Sequence, residues 1–132
     1  MDKMSKNQVM VRDAIIFADG YVKREYKGGV RRFSGLSAKK LQELIDLHLA
    51  DPGEAQNNSP SIAEFLNFMD SHDGYTAHGY TVDYTRDDCR VSIEGIESPG
   101  YCEAQELEDF VAAFRDADDF EASTKRMYCW YD

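Results

Sequence analysis

Apolar residues recur three and four positions apart in three stretches of the chain, and this spacing predicts three amphipathic helices. The first helix is predicted over residues 38–50, with Ser37 as its N-cap. The second begins at a capping box formed by Ser61 and Glu64 and ends near Asp73. The third, over residues 103–117, carries acidic side chains in its first turn, where the helix dipole favours anions. The apolar stripes of the three helices are Leu41, Leu44, Ile45 and Leu49; Ile62, Phe65, Leu66 and Met69; and Leu107, Phe110, Val111, Phe114 and Ala117.

Alternation of apolar and polar positions with a period of two predicts strands between and after these helices. Residues 80–84 and 89–93 alternate on either side of a turn at residues 86–88, which predicts a central hairpin. Residues 127–131 have no helical period and a high β-propensity, so they are predicted to form a last strand. The positions expected to face the core in the hairpin are Tyr80, Val82, Tyr84, Cys89, Val91 and Ile93.

The N-terminal segment allows two interpretations. Asp19-Gly20 and Lys27-Gly28-Gly29 separate β-prone runs, which predicts a β-meander over residues 11–33. The apolar spacing of residues 6–18 is also compatible with a helix, and the sequence leaves this alternative open. Residues 1–8 are a candidate disordered N-terminus. Residues 51–60 are rich in Pro, Gly, Asn and Ser and are predicted to form a loop.

Strands and helices occur in blocks along the chain and do not alternate strictly, which favours the α+β class. The chain has 132 residues, of which 42% are hydrophobic, so one core is sufficient. The sequence therefore predicts a single α+β domain over residues 1–132. Its largely antiparallel sheet would combine the N-terminal β-meander, the central hairpin and the C-terminal strand, packed with about three helices.

The apolar runs are too short to cross a membrane, and the N-terminus has no apolar segment of signal-peptide length. Cys89, Cys102 and Cys129 are an odd number of cysteines at wide spacings, which favours free thiols in a reducing compartment. We therefore expect a cytoplasmic protein with no membrane contact.

The net charge of −10 is unevenly distributed along the chain. Residues 1–60 have ten Lys and Arg against eight Asp and Glu, whereas residues 61–132 have five against seventeen. Such a distribution repels nucleic acid from the acidic half and attracts basic protein surfaces, although it is also compatible with a role in solubility alone. It is compatible with a homodimer as well, because the basic segment of one copy could pair with the acidic helix of another.

Carboxylates can imitate phosphates, so the expected function is an acidic protein-binding module, with an inhibitor that mimics nucleic acid as its specific form. The expected partner is a basic protein surface, including that of a nucleic-acid-binding protein. The chain is similar in size and charge only to small acidic anti-CRISPR and anti-restriction proteins. The candidate partner-binding residues are Asp83, Asp87, Asp88, Glu94, Glu97, Glu103, Glu106, Asp109, Asp116, Asp118 and Asp119, with Tyr80 and Tyr84 beside them.

Motifs for catalysis are missing from the sequence: no phosphate-binding Gly-rich loop, C-x-x-C, H-E-x-x-H or EF-hand pattern occurs. We therefore predict no catalytic residue, cofactor or metal, and expect a protein that is not an enzyme. Two alternatives remain. A small metal-dependent enzyme would use Asp70, His72, Asp73 and His78. Direct nucleic-acid binding would use a basic, aromatic hairpin made of Tyr21, Lys23, Arg24, Tyr26, Lys27, Arg31 and Arg32.

Overall fold

The computed structural model describes residues 3–56 and 58–132 and confirms the α+β class with an antiparallel sheet. Within these residues the elements, in chain order, are α1 (Lys6–Ile16), a short 3₁₀ turn (Lys23–Glu25), β1 (Val30–Ser37), α2 (Ala38–Asp46), α3 (Ile62–Ser71), β2 (Thr76–Val82), β3 (Val91–Glu97), α4 (Ala104–Phe114), β4 (Asp119–Ala122) and β5 (Met127–Trp130). None of these helices is long and apolar enough to cross a membrane.

The five strands form one sheet in the order β1-β2-β3-β5-β4, and every neighbouring pair is antiparallel. One face carries the hydrophobic core, which the sheet shares with the helices. The register shifts between His78 and Gly79, where β3 contains one extra residue. At Gly95 a Cβ atom would lie 1.8 Å from the carbonyl oxygen of Cys129, so only glycine allows β3 and β5 to approach this closely.

The three helices predicted from apolar spacing are all present as α2, α3 and α4, and the central hairpin and the last strand are present as β2, β3 and β5. The prediction that Tyr80 faces the core is wrong. Gly79 pairs with Ile93 and faces the core, whereas Tyr80 pairs with Ser92 and with Arg32 on the opposite face. Cross-strand partners share a face, so the residues across the ladder decide which side of β2 is inside.

The predicted N-terminal β-meander is wrong, and the helical alternative is correct. Ser5 caps α1 through a capping box with Gln8, and Val9 is fully buried. Lys27 and Val30 form only an isolated bridge, so β1 begins at Val30. The disordered N-terminus is also corrected: Met4 is buried and α1 begins at Lys6, while residues 1 and 2 lie outside the described residues. The predicted loop at 51–60 is found, except that residue 57 is not described.

A buried charged pair holds α1 in place. The side chains of Arg12 and Asp13 are 0% exposed, and Arg12 Nε donates to Asp13 Oδ1 at 2.8 Å. Burial opposes the Arg12 charge, but Asp13 more than compensates and raises the pKa of Arg12 above its ordinary value. The guanidinium also donates to the carbonyl oxygen of Val82 at 2.9 Å and to Tyr26 Oη at 3.0 Å. A single side chain thus connects α1, the 3₁₀ turn and the end of β2.

Tyr26 completes this network. Its hydroxyl donates to Asp13 Oδ2 and lies 2.9 Å from Thr81 Oγ1. Burial, assisted by the Asp13 carboxylate, raises the pKa of Tyr26 to about 12. Buried charges remain in a fold only when they are paired and hydrogen-bonded in this way. We infer that the network fixes where the N-terminal segment sits against the sheet.

Replacing Asp13 with Ala is expected to lower the free energy of unfolding by about 3–5 kcal/mol, because the Arg12 charge would stay buried without its carboxylate partner. Urea unfolding followed by circular dichroism measures the change. The matched control is Asp19→Ala, which removes the exposed carboxylate that pairs with Arg31 and should leave the midpoint nearly unchanged. Equal midpoints for the two variants would contradict the role assigned to the buried pair.

Candidate functional site

The acidic residues of the β2–β3 hairpin are neutralised by nearby cations. Asp88 pairs with Arg86 at 2.6 Å and with Arg90 at 3.0 Å. Glu94, whose side chain is only 5% exposed, pairs with Arg32 at 2.5 Å. Glu97 pairs with Arg126 at 3.1 Å, and exposed Asp87 lies 3.7 Å from Lys3 Nζ. These predicted partner-binding residues are present at the surface largely as ion pairs.

Asp83 is buried and has an internal role. It accepts a hydrogen bond from Tyr21 Oη at 3.0 Å and another from the backbone N–H of Tyr84 at 2.8 Å. Burial and the Asp83 carboxylate together raise the pKa of Tyr21. The ring of Tyr21 contacts those of Tyr26 and Tyr84, at centroid distances of 5.3 and 6.1 Å. Asp83 and Tyr84 therefore belong to the packing around α1.

The basic segment from Tyr21 to Arg32 does not form the predicted hairpin. Tyr21 and Tyr26 bind inside the structure, and Arg31 donates to Asp19 at 2.8 Å while its guanidinium lies 3.6 Å from the centroid of the Phe17 ring. Arg32 pairs with Glu94. The residues left exposed without an ion pair are Lys23, Arg24 and Lys27. Tyr21, Tyr26, Arg31 and Arg32 are therefore engaged in contacts within the chain.

The two histidines of the Asp70 to His78 segment lie in different surroundings. His72 caps α3, with Nδ1 2.8 Å from the carbonyl oxygen of Phe68 and Nε2 3.0 Å from Asp109 Oδ2. His78 lies on the sheet face opposite the helices, where it stacks on Tyr128 at 4.9 Å. Among the described residues, no group of three or more His, Cys, Asp or Glu is placed to hold a metal ion.

The sheet face opposite the core carries half-buried aromatic side chains, namely His78, Tyr80, Tyr128 and Trp130. Arginines lie against two of them: Arg126 is 4.5 Å from the centroid of Tyr128, and Arg90 donates to Tyr80 Oη at 2.8 Å. Both arginines also bind carboxylates, Arg126 at Glu97 and Arg90 at Glu54. Charges of opposite sign are therefore balanced locally on this face.

All three cysteines are free thiols, as predicted. Cys129 is buried, and burial raises the pKa of its thiol to about 12. Cys102 is buried and donates to the carbonyl oxygen of Gly100 at 3.2 Å. Cys89 lies 3.7 Å from Arg12 Nη1, but burial still raises its pKa. The thiols of Cys89 and Cys129 are therefore held in their protonated forms near neutral pH.

Most carboxylates of α4, the following turn and β4 have no cation partner among the described residues. Residues 103–121 contain eight Asp and Glu against the single cation Arg115. Only Asp109, with His72, and Glu121, with Arg126 at 3.1 Å, have ion pairs there. The acidic residues without one are Glu103, Glu106, Glu108, Asp116, Asp118 and Asp119.

The acidic residues of α4 lie on two different flanks of the helix. Asp109 binds His72 at the end of α3. Burial, then Cys102 and then Glu106 raise the pKa of Tyr75, whose ring contacts Phe68 of α3, so Asp109 and Glu106 both lie on the flank facing α3. Helix α3 contacts β3, whereas α4 contacts β4 and β5. The opposite flank of α4 therefore faces outward past β4, which is the last strand of the sheet. By its helical position, exposed Glu108 is on this outer flank.

A surface cleft opens where the α4–β4 turn meets the end of β5. Its lining residues are Asn58, Asp116, Asp118, Tyr131 and Asp132. Asp116 accepts a hydrogen bond from Tyr131 Oη at 2.7 Å, and Asp118 accepts one from the backbone N–H of Asp132 at 2.8 Å. These contacts hold the two carboxylates at the rim without neutralising their charge. We call Glu108, Asp116, Asp118, Asp119 and Glu121 the acidic edge.

Strand β4 and its exposed surroundings were not found from the sequence. In this four-residue segment, Asp119 and Glu121 alternate with Phe120 and Ala122, which is the pattern of a strand. The two acidic residues and the short length made the pattern hard to recognise in the sequence. Tyr101 near this strand is 79% exposed. Cys102 donates its backbone N–H to the carbonyl oxygen of Thr124 at 2.7 Å, which places Tyr101 beside the β4–β5 turn.

Comparison with known proteins adds no relative: no family model, curated protein or solved structure matches this chain.

The two histidines are expected to titrate on opposite sides of the ordinary histidine pKa. Burial lowers the pKa of His72, but hydrogen bonds to Asp109 and to Phe68 outweigh it and raise the pKa above 6.5; burial lowers the pKa of His78. The His72–Asp109 contact should therefore stabilise the fold fully below pH 6.5 and be lost as the pH rises through the pKa of His72. An NMR titration of the imidazole carbons measures both values.

The control for this titration is Asp109→Asn, which should lower the pKa of His72 and leave that of His78 unchanged. If both histidines shifted together, or if His72 titrated below His78 in the wild type, the assigned contacts would be wrong.

Proposed function

We propose that this chain is a non-catalytic module that binds a basic surface of another protein through the acidic edge. The observation that carries the proposal is the distribution of ion pairs. Apart from buried Asp83, the carboxylates of the hairpin have arginine or lysine partners, whereas Glu108, Asp116, Asp118 and Asp119 have none among the described residues. Four unpaired carboxylates therefore lie together at one side of the sheet, whereas other unpaired carboxylates, such as Glu43, Asp70 and Asp73, lie on α2 and around the end of α3.

Uncompensated charge on one side has a kinetic consequence. A paired carboxylate presents little net field, whereas several unpaired carboxylates on one surface attract a basic partner and accelerate the encounter at low salt. The same field repels nucleic acid. It also falls off over a Debye length, which is about 8 Å at physiological ionic strength.

Rigid support favours binding at this place over a solubility role alone. The acidic edge rests on α4, whose Phe110 and Phe114 are buried, and on β4, whose Phe120 ring stacks on Phe110 at 5.7 Å. Asp116 and Asp118 are held by Tyr131 and by the backbone of Asp132. Preorganised side chains lose less conformational entropy when a partner binds.

If the chain mimics nucleic acid, its partner must meet a further condition. Its basic surface should then be one that also binds phosphates, so that duplex DNA or RNA and this chain compete for it. Competition with a short duplex separates an inhibitor of a nucleic-acid-binding protein from a module that binds a basic surface of another kind.

Reversing three charges of the acidic edge, Glu108→Lys, Asp118→Lys and Asp119→Lys, is expected to reduce the association rate with the partner about 10-fold or more at low salt. The partner is first captured from the native host with the wild-type chain and then purified, and its association is measured by biolayer interferometry at low and high salt. The difference between wild type and variant should shrink as salt is added.

The matched control carries the same charge change on a different surface: Glu43→Lys, Asp70→Lys and Asp73→Lys, all exposed and without ion pairs. It should bind at a rate closer to the wild type, and both triple variants should keep the wild-type circular dichroism spectrum. A partner whose association is slowed equally by both variants would show that only the total charge matters, and the acidic edge would lose its assigned role.

A further inference from the structure

Strand β4 is one of the two edges of the sheet, and its side away from β5 pairs with no other described strand. We infer that β4 accepts an extended basic segment of the partner protein as a sixth strand of the sheet. This inference rests on the proposed function and specifies how the partner binds.

The hydrogen bonds of β5 show which groups of β4 point outward. Met127 donates its N–H to Ser98 Oγ and accepts from the N–H of Ser98, both at 2.8 Å, so the backbone groups of Met127 face β3. Cys129 likewise directs its carbonyl oxygen toward His78, at 3.0 Å. Residues along a strand alternate in direction, so Tyr128 and Trp130 face β4.

The same alternation shows which backbone groups of β4 point away from β5. Tyr128 pairs with Glu121 and Trp130 pairs with Asp119, so these two residues use their backbone groups inside the sheet. Phe120 and Ala122 must then direct two N–H and two C=O groups away from β5, and the described residues supply these groups with no partner. Such a row of groups is a template on which a further strand can be added.

The side chains of β4 indicate which residues the added strand should carry. Asp119 and Glu121 lie on the open face with Trp130 and Tyr128, whereas Phe120 lies on the core face against Phe110. Cross-strand neighbours share a face, so residues opposite Asp119 and Glu121 would meet carboxylates. Residues on the other face would meet Phe120 and the outer flank of α4. The complementary segment therefore alternates Lys or Arg with apolar residues.

Surface features at both ends of β4 also favour binding of such a segment. At its start, the cleft lined by Asp116 and Asp118 is negative and open, so it can receive one further Lys or Arg side chain. At its end, Tyr101 is 79% exposed beside the β4–β5 turn. Exposed tyrosine is a side chain that protein interfaces favour.

The same charges select against pairing with a second copy of this chain through β4. Two β4 strands related by a two-fold axis would place Asp119 and Glu121 opposite acidic residues of the same kind, and like charges across a strand pair are destabilising. Shortness and charge are the usual means by which proteins protect an edge strand from self-pairing. Here they leave the edge open to a strand of opposite charge.

The first arm of the test uses a defined probe, an octapeptide that alternates Lys and Val, added to the ¹⁵N-labelled wild-type chain. The expected result is a shift of the Phe120 and Ala122 amide signals and slower hydrogen exchange at these two N–H groups. A peptide that alternates Glu and Val should produce neither effect. A second probe, the Lys-Val peptide with N-methyl groups on the residues that would bond β4, should bind about 10-fold more weakly, because it cannot form the ladder.

The second arm changes the protein. Ala122→Pro removes one outward N–H without removing a bond to β5, and it should weaken binding of the Lys-Val peptide and of the partner about 10-fold. Ala122→Val keeps the N–H and should bind like the wild type. Because proline could disturb β4 itself, the HSQC spectrum of the variant is compared with that of the wild type. The N-methylated peptide gives the same information with the protein unchanged.

The outcomes separate the inference from the function on which it rests. If the N-methylated and unmodified peptides bind equally well and the charge reversal of the acidic edge still weakens binding, strand addition is wrong and the basic-surface function stands. If the charge reversal has no effect on the partner, the proposed function fails as well. If sedimentation shows that added strands come from a second copy, with β1 of one chain on β4 of the next, the assignment to a different protein is overturned.

Discussion

Arg12 carries a charge into the interior of the protein, and the N-terminal third of the chain is arranged so that this charge is satisfied. Its guanidinium binds the Asp13 carboxylate, the hydroxyl of Tyr26 and the carbonyl oxygen of Val82. An ion removed from water is tolerated only with such a set of partners, so α1, the 3₁₀ turn and the end of β2 must come together at one point. Tyr21, Asp83 and Tyr84 pack around the same place. Because of this requirement, several residues that the sequence suggested as a basic, aromatic binding surface have structural roles.

A similar division applies to the carboxylates. Of the negative charge in residues 61–132, much of the part on the β2–β3 hairpin is matched by four arginines. Arg32 lies in β1, Arg86 and Arg90 lie in the β2–β3 connection, and Arg126 lies just before β5. The part on α4, the following turn and β4 has Arg115 as its only cation in the sequence, and among the described residues Arg126 is the one arginine that pairs with it. Net charge therefore does not describe the surface that a partner meets. Most of the acidic edge has no cation partner after the fold has formed its own ion pairs, and it lies beside β4, whose outward backbone groups have no partner among the described residues.

The fold could be predicted from the sequence where local signals are strong. The apolar spacing and capping residues of α2, α3 and α4 are properties of short segments, as is the period of two in β2, β3 and β5, and all of these elements are present. Strand β4 was missed because four residues, two of them acidic, give too short a pattern. The end of α2 was also misplaced: the chain leaves the helix at Leu47, and His48 adopts a positive φ of 60°. Of the candidate site, Asp116, Asp118 and Asp119 were identified as acidic, but Asp83, Asp88, Glu94 and Glu97 could not be separated from them.

The sequence by itself determined the α+β class, three helices, the antiparallel hairpin and the excess of negative charge, because each depends on residues that are close together in the chain. Only the tertiary structure decided whether residues 6–16 form a helix, which face of β2 is inside and which carboxylates are neutralised. Each of these depends on partners far away in the sequence: Arg12 on Val82, Tyr80 on Arg32 and Glu94 on Arg32. A short apolar run is compatible with helix and strand alike, and a carboxylate has the same formal charge with or without an arginine beside it. Contacts between distant segments remove these ambiguities, since a buried charge or an apolar face is stable only where its partner lies.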